Sequence, residues 1–273
     1  MKSQEYLSEK KPELFEFEDI AESRDILLFD TSGFEMLDGA GVSEALFESH
    51  IHLNLDQNSL SKRTEFVSGL ACMINKYNDK IDIVPEVIVE AEDYMDILNE
   101  QLKFHKNILD KKKSQKKVYS RNRRETHRRM KMSASEKDNL EMLRLYVDNY
   151  YHLLKEAKNC VSDKRYNGFL EQVKDLAKKK NIKRDFSFRY RAGLKRPGNR
   201  RKEDLYTDEK IAVRAYEHAS KGNKVAIISN DSDLRNILDV SFTHAFGWNS
   251  GLDVSMYCNY RHGKYNAEFD SKR

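Results

Sequence analysis

The chain has 273 residues and a formal net charge of +4, with 39% hydrophobic and 34% charged residues. The apolar share is below the usual ~45–50% and the charged share above ~25%, so there is material for one core while other segments stay in water, and the length fits one or two domains. No run approaches the ~18–20 apolar residues of a membrane span. Residues 1–24 hold no apolar signal region, and Cys72, Cys160 and Cys258 are odd in number and far apart, so reduced thiols and a cytoplasmic location are expected.

The first clear element is Ile26-Leu27-Leu28-Phe29, four apolar residues in a row, as in a strand buried on both faces. It ends at Asp30-Thr31-Ser32-Gly33, a run of turn formers. Residues 62–77 read as a helix. Ile81, Ile83 and Val84 mark a weaker strand, followed by a helix that Pro85 opens and that Val87, Ile88, Ala91, Tyr94, Met95 and Leu98 make amphipathic. Residues 110–132 have almost no apolar content. Residues 140–157 place Leu140, Leu143, Val147, Tyr150, Leu154 and Ala157 at alternating spacings of three and four, a helix seam. Residues 166–180 repeat this more weakly with Phe169, Val173 and Leu176, which predicts a helical hairpin. A helix with Thr207 as N-cap and Ile211, Ala212, Ala215 and Tyr216 as its buried stripe leads past Gly222 into the strand Val225-Ala226-Ile227-Ile228. Residues 253–269 read as a last strand or hairpin.

The charge is uneven. Residues 101–132 carry 13 Lys/Arg against Asp110 and Glu125, and residues 178–202 carry 12 against Asp185 alone. Each segment is therefore at +11, which leaves −18 for the remainder. An acidic body with two strongly basic segments implies a polyanionic partner. Solvated faces account for one such run as readily.

Three carboxylates fall at equivalent places. Asp30 ends one core strand, Asp231 (with Asp233 behind it) ends another, and Asp208 opens the helix leading into the second. Groups at the carboxyl ends of neighbouring parallel strands converge on one crevice. Glu90, early in the helix after Pro85, is a fourth candidate, although Glu86 and Glu92 lie on the same helix. Taken singly, Asp30 also suits a turn, Asp208 a first-turn charge, and Asp231 or Asp233 a helix N-cap. Two unit charges about 4 Å apart repel by about 4 kcal/mol at an effective dielectric near 20. A gathered set therefore calls for protons or cations, and oxygen-only ligands favour Mg²⁺ or Mn²⁺. No Cys or His spacing competes for zinc.

In these blocks the chain resembles the PIN-domain nuclease family. The blocks are Ile-Leu-Leu-Phe-Asp30-Thr-Ser32; Val84-Pro85-Glu-Val-Ile-Val-Glu90; Asp208-Glu-Lys-Ile211-Ala212-Val-Arg-Ala215; and Val-Ala-Ile-Ile-Ser229-Asn-Asp231-Ser-Asp233-Leu234. The resemblance covers about residues 25–100 and 205–245. It implies an α/β fold, a parallel-sheet, three-layer PIN-like domain in two parts, residues 1–100 and 191–273; between them the change of character reads as a helical, basic insertion over residues 101–190, which the resemblance does not cover. It also implies a metal-dependent endonuclease, a hydrolase that most often cuts RNA and leaves a 5′-phosphate and a 3′-hydroxyl. By position, Asp30, Glu90, Asp208 and Asp231 would be catalytic and hold Mg²⁺ or Mn²⁺, Asp233 would be an auxiliary ligand, and the hydroxyls of Ser32 and Ser229 would support them.

The basic segments would then guide the substrate. Arg200, Arg201 and Lys202 lie six to eight residues before Asp208, within about 30 Å of it even when fully extended. Arg189, Arg191, Lys195, Arg196, Lys111, Lys112, Lys113, Arg123 and Arg124 are further candidates for phosphate contact. Phe186, Phe188 and Tyr190 alternate along one face, where they can stack bases or pack the insertion on the core. Single-stranded RNA is the leading substrate; a structure-selective DNA nuclease of the PIN-like group and a non-catalytic RNA-binding module are the alternatives. A haloacid-dehalogenase-like phosphatase wants a second Asp where this chain has Ser32. The 140–157 seam fits packing within the chain or a homodimer, and the sequence identifies no inhibitor protein.

Overall fold

The computed structural model describes residues 14–34, 57–116, 123–162, 166, 168–180, 182, 205–247, 251–261 and 264–272, and side chains within 111–136 are outside that description. In chain order the elements are β1 (Leu14–Phe15), α1 (Phe17–Ser23), β2 (Ile26–Phe29), a 3₁₀ turn (Thr31–Phe34), α2 (Gln57–Lys76), β3 (Ile81–Asp82), α3 (Pro85–Lys116), α4 (Arg123–Lys158), α5 (Phe169–Lys179), α6 (Thr207–Ala219), β4 (Lys224–Ile228), α7 (Ser232–His244), β5 (Asp253–Arg261) and β6 (Lys264–Asp270).

The strands form one α/β sheet in the order β1-β6-β5-β4-β2-β3. Strands β3, β2 and β4 are parallel, as expected from the apolar runs, and β5 lies parallel to β4, whereas β6 runs antiparallel to β5, and β1 to β6. The sheet is therefore mixed: a parallel core as expected, extended by the hairpin alternative for residues 253–269. The reason is the short link between Arg261 and Lys264, which pair across it. A parallel return needs a crossover of a dozen or more residues, so only a hairpin fits.

Successive residues of a strand point to opposite faces. In β2, Leu27, Leu28 and Phe29 are all fully buried, and in β4 every residue from Val225 to Ile228 is buried. Both faces of the central strands are therefore covered. Helix α6 lies against β2, β4 and β5, and α7 against α6 and β6.

The expected hairpin between residues 140–157 and 166–180 divides between two places. The seam residues Leu143, Val147, Tyr150, Leu154 and Ala157 are buried, and α4 packs on α2 and α3. The seam is thus covered within the chain. At its centre the rings of Tyr94 and Tyr150 meet edge to face at 5.0 Å, and the Tyr94 and Tyr146 hydroxyls lie 3.3 Å apart. Helix α5 packs instead on α6 and α7, through Phe169 against Tyr216 and Phe246. Among the described residues no helix is long and apolar enough to cross a membrane, and all three cysteines are free thiols.

The turn after β2 nests against the end of β4. The Asp30 amide donates to the Ile228 carbonyl at 3.1 Å, and the Gly33 amide to the Asp30 carbonyl at 2.9 Å. A Cβ at Gly33 would collide with the Ile228 carbonyl oxygen, which explains the glycine by space rather than by backbone conformation. Gly33→Ala is expected to destabilise the fold by about 1–3 kcal/mol, the usual range for forced overpacking. Urea denaturation checks this, and an unchanged midpoint would show that the turn yields freely.

Candidate active site

From β2 the chain passes to β3 on one side, then crosses back to β4 on the other side. Opposed crossovers leave a crevice beyond the carboxyl ends of β2 and β4, the switch point where open α/β sheets bind ligands. The register Phe29↔Ile228 brings the residues after both strands side by side there.

Asp30 is buried at 4% exposure. Its hydrogen bonds converge on Oδ2, which accepts from the Ser229 hydroxyl at 2.9 Å, the Ser32 amide at 3.3 Å and the Ser32 hydroxyl. The same hydroxyls carry the link to the next segment. Ser229 Oγ accepts from the Asp231 amide at 3.0 Å, and Ser32 Oγ from the Asn230 amide at 2.9 Å. Asp231 N-caps α7, its Oδ1 accepting from the Asp233 amide at 2.7 Å. The capping reading of Asp231 is therefore correct, and it does not remove Asp231 from the crevice.

Asp208 sits in the first turn of α6. The N-cap of that helix is Tyr206, in the left-handed region at φ 54°, and Thr207 is its first helical residue. This corrects the expectation for Thr207. A non-glycine residue at positive φ is uncommon and tends to occur at functional sites. The Thr207 hydroxyl, freed from capping, donates to Glu90 Oε1 at 2.6 Å, while the Thr31 hydroxyl donates to Glu90 Oε2 at 2.8 Å.

The Asp208 carboxyl is pushed well above the usual carboxylate range, first by burial and then by the charges of Asp30, Asp231, Glu90 and Asp233. The structure thus brings all five acidic candidates within electrostatic reach of one point. As the side chains stand, no group of three or more His, Cys, Asp or Glu among the described residues is arranged to hold a metal ion. The carboxylates meet as interacting charges, and a shared ion would have to draw them in.

The geometry also separates the three helix glutamates. Glu86 pairs with Lys210 at 2.8 Å and accepts from the Tyr166 hydroxyl at 2.8 Å. Burial raises its pKa, but Lys210 and Tyr166 outweigh that and hold the carboxyl below its ordinary value. Glu92 pairs with Lys158 at 2.7 Å on a half-exposed surface. Glu90 alone of the three turns to the threonines beside Asp30 and Asp208.

Sequence reasoning passed over several of these residues. Asn230 donates from Nδ2 to the Ser32 carbonyl at 2.8 Å and accepts at Oδ1 from the Asn259 amide at 2.8 Å, so it ties the β2 turn to β5. Lys210, Thr31 and Thr207 have partners far away in the chain. The signals available were a side-chain amide directly after a buried strand and hydroxyls flanking two candidate aspartates. Of the nucleic-acid candidates, Lys111, Lys112 and Lys113 lie near the end of α3, and Arg123 and Arg124 open α4. Arg189, Arg191, Lys195, Arg196, Arg200, Arg201 and Lys202, with Phe186, Phe188 and Tyr190, lie outside the described residues.

A raised pKa means that the folded state holds the Asp208 proton more tightly than the unfolded state does. Without divalent metal, this contribution is whole below about pH 4 and is lost as pH rises through the raised value. Asp208→Asn should therefore raise the melting temperature of the metal-free protein at alkaline pH and flatten its fall with pH. Every tenfold difference in proton affinity between the folded and unfolded states is worth about 1.4 kcal/mol, and each 1 kcal/mol regained raises the melting temperature by about 2–4 °C for a chain of this size. Thermal melts across pH check this; an equal slope in both proteins would show that the cluster does not act on Asp208.

Compared with known proteins, the chain matches no protein-family model, no curated protein and no solved structure.

Proposed function

We propose that this chain is a divalent-metal-dependent endonuclease of the PIN-like type, a hydrolase of phosphodiester bonds acting on single-stranded RNA. The observation that carries the reading is the surroundings of Asp208: carboxylates from the ends of β2 and β4 and from α3 converge on it at the switch point, and the four charges that act on it most strongly are all negative.

The donor set fits the implied ion. The residues offer carboxylate oxygens, which suit hard cations such as Mg²⁺ and Mn²⁺. A carboxyl forced upward by desolvation and by its negative neighbours is also what a cation would relieve. When bound, such an ion supplies charge stabilisation at a phosphoryl oxygen and a lower pKa for a water.

The chain's own contribution is placement. Asp30, Asp208 and Asp231 would hold the ion, with Asp233 beside them. Ser32 and Ser229 orient Asp30 by donating to Oδ2, leaving Oδ1 without a hydrogen bond among the described residues. The α7 amide held by Asp231 fixes that side chain at the mouth of the crevice. The two segments of +11 supply the countercharge that an acidic site needs if a polyanion is to approach it. RNA over DNA follows the family resemblance.

The test is cleavage of RNA and DNA oligonucleotides of one sequence with Mg²⁺ or Mn²⁺. Single-stranded RNA should be cut to 5′-phosphate ends, and EDTA should stop the reaction. Asp30→Asn, Asp208→Asn and Asp231→Asn should each lower the rate by about 100-fold or more, beyond the loss typical of a residue that only supports a ligand. Cutting of DNA alone would favour the structure-selective DNA nuclease. Binding of RNA without cleavage across a metal panel would leave a binding module.

A further inference from the structure

Glu90 differs from the aspartates in how it is held. Each of its carboxylate oxygens accepts a threonine hydroxyl: Oε2 from Thr31 at 2.8 Å and Oε1 from Thr207 at 2.6 Å. Thr31 is the chain neighbour of Asp30, and Thr207 is the chain neighbour of Asp208. One side chain on α3 therefore joins the residues beside two site aspartates from segments that meet only in the folded state. The helix carrying it is fixed in turn. Glu86, one turn earlier on α3, pairs with Lys210, two residues past Asp208, and Asp82, at the end of β3, binds His218 Nε2 at 2.6 Å further along α6. The Asp30 hydrogen bonds contrast with this pattern, since they load one oxygen only.

We propose that Glu90 is a positioning residue: it brackets Thr31 and Thr207 and so sets the separation of Asp30 and Asp208, rather than itself ligating the ion. This rests on the metal-site reading given above. A carboxylate with a hydroxyl donor on each oxygen holds two backbones at a defined distance, because charge-assisted hydrogen bonds are short and directional. Partners of this outer kind commonly alter metal affinity by about 10–100-fold when removed.

The bracket and ligand roles diverge under substitution. Glutamine keeps both bonds, since its carbonyl accepts from one threonine and its amide donates to the other hydroxyl oxygen, but it loses the charge. Alanine loses both, and Thr31→Val with Thr207→Val keeps the charge and loses the bonds. Mn²⁺ binding to the full chain is measured by calorimetry for these variants, for the wild type and for Asp208→Asn.

On the bracket reading, Glu90→Gln binds Mn²⁺ within about fivefold of wild type, while Glu90→Ala and the threonine pair each weaken binding by about 10–100-fold. Glu90→Gln as weak as Glu90→Ala, with the threonine pair harmless, would overturn the proposal and make Glu90 a ligand. If the threonine pair fails to fold, the Gln and Ala variants decide alone: equal losses overturn the bracket, and a tenfold gap between them supports it. A wild-type chain that binds no Mn²⁺, or an Asp208→Asn variant that binds as tightly as wild type, would sink the metal site itself and the bracket with it.

Discussion

Like-charge repulsion at the switch point is the constraint on which the rest of this structure depends. Asp30, Glu90, Asp231 and Asp233 come from distant parts of the chain, and their charges act on the desolvated carboxyl of Asp208. Left to themselves, such groups separate, because two charges about 4 Å apart repel by about 4 kcal/mol even at an effective dielectric near 20. The fold holds Asp30, Glu90 and Asp231 through uncharged donors. Hydroxyls of Ser32 and Ser229 hold Asp30, hydroxyls of Thr31 and Thr207 hold Glu90, and a helix amide holds Asp231. None of these donors carries a positive charge, so the tethers position the carboxylates without neutralising them.

Among the described residues, two cations of α6 are engaged with acidic groups of β3 and α3. Lys210 and Arg214 on α6 face Glu86, Asp82 and the ring of Tyr166. Burial works against the Asp82 carboxylate, yet hydrogen bonds from His218 and Ser162 and the charge of Arg214 hold it below its ordinary range. The result is a half-buried row of opposite charges that binds α6 to β3 and α3. The charged side chains of this row are only 13–18% exposed, so their attraction is offset by desolvation, and the row registers one helix against another. Tyr166 and Ser162, from the link between α4 and α5, belong to the same row. The helical segment that follows α3 is thereby joined to the scaffold behind the acidic crevice.

Much of this was legible in the sequence where local chemistry decides it. Four apolar residues in a row bounded by turn formers suit a strand with both faces covered, and β2 and β4 are such strands. The spacing of threes and fours over 140–157 is a helix seam whatever it packs against. Asp30 and Asp231 follow buried strands, so a parallel pairing of those strands was enough to place them together. The choice among Glu86, Glu90 and Glu92 was not legible, because all three lie within two turns of one helix. Their partners, Lys210, Thr31 with Thr207, and Lys158, come from three different elements. Thr207 looked like a helix cap by residue type, and a left-handed Tyr206 gave it another task.

The sequence by itself determined the α/β class, the apolar strands and helices, and the acidic residues that end the strands, because strand burial, helix periodicity and turn chemistry act over a few neighbouring residues. The tertiary structure decided the mixed sheet, the separate docking of α4 and α5, the identity of the glutamate beside the aspartates and the hydroxyls that hold it. Those depend on which distant backbones come within hydrogen-bond reach, a distance of about 3 Å that no spacing along the chain encodes.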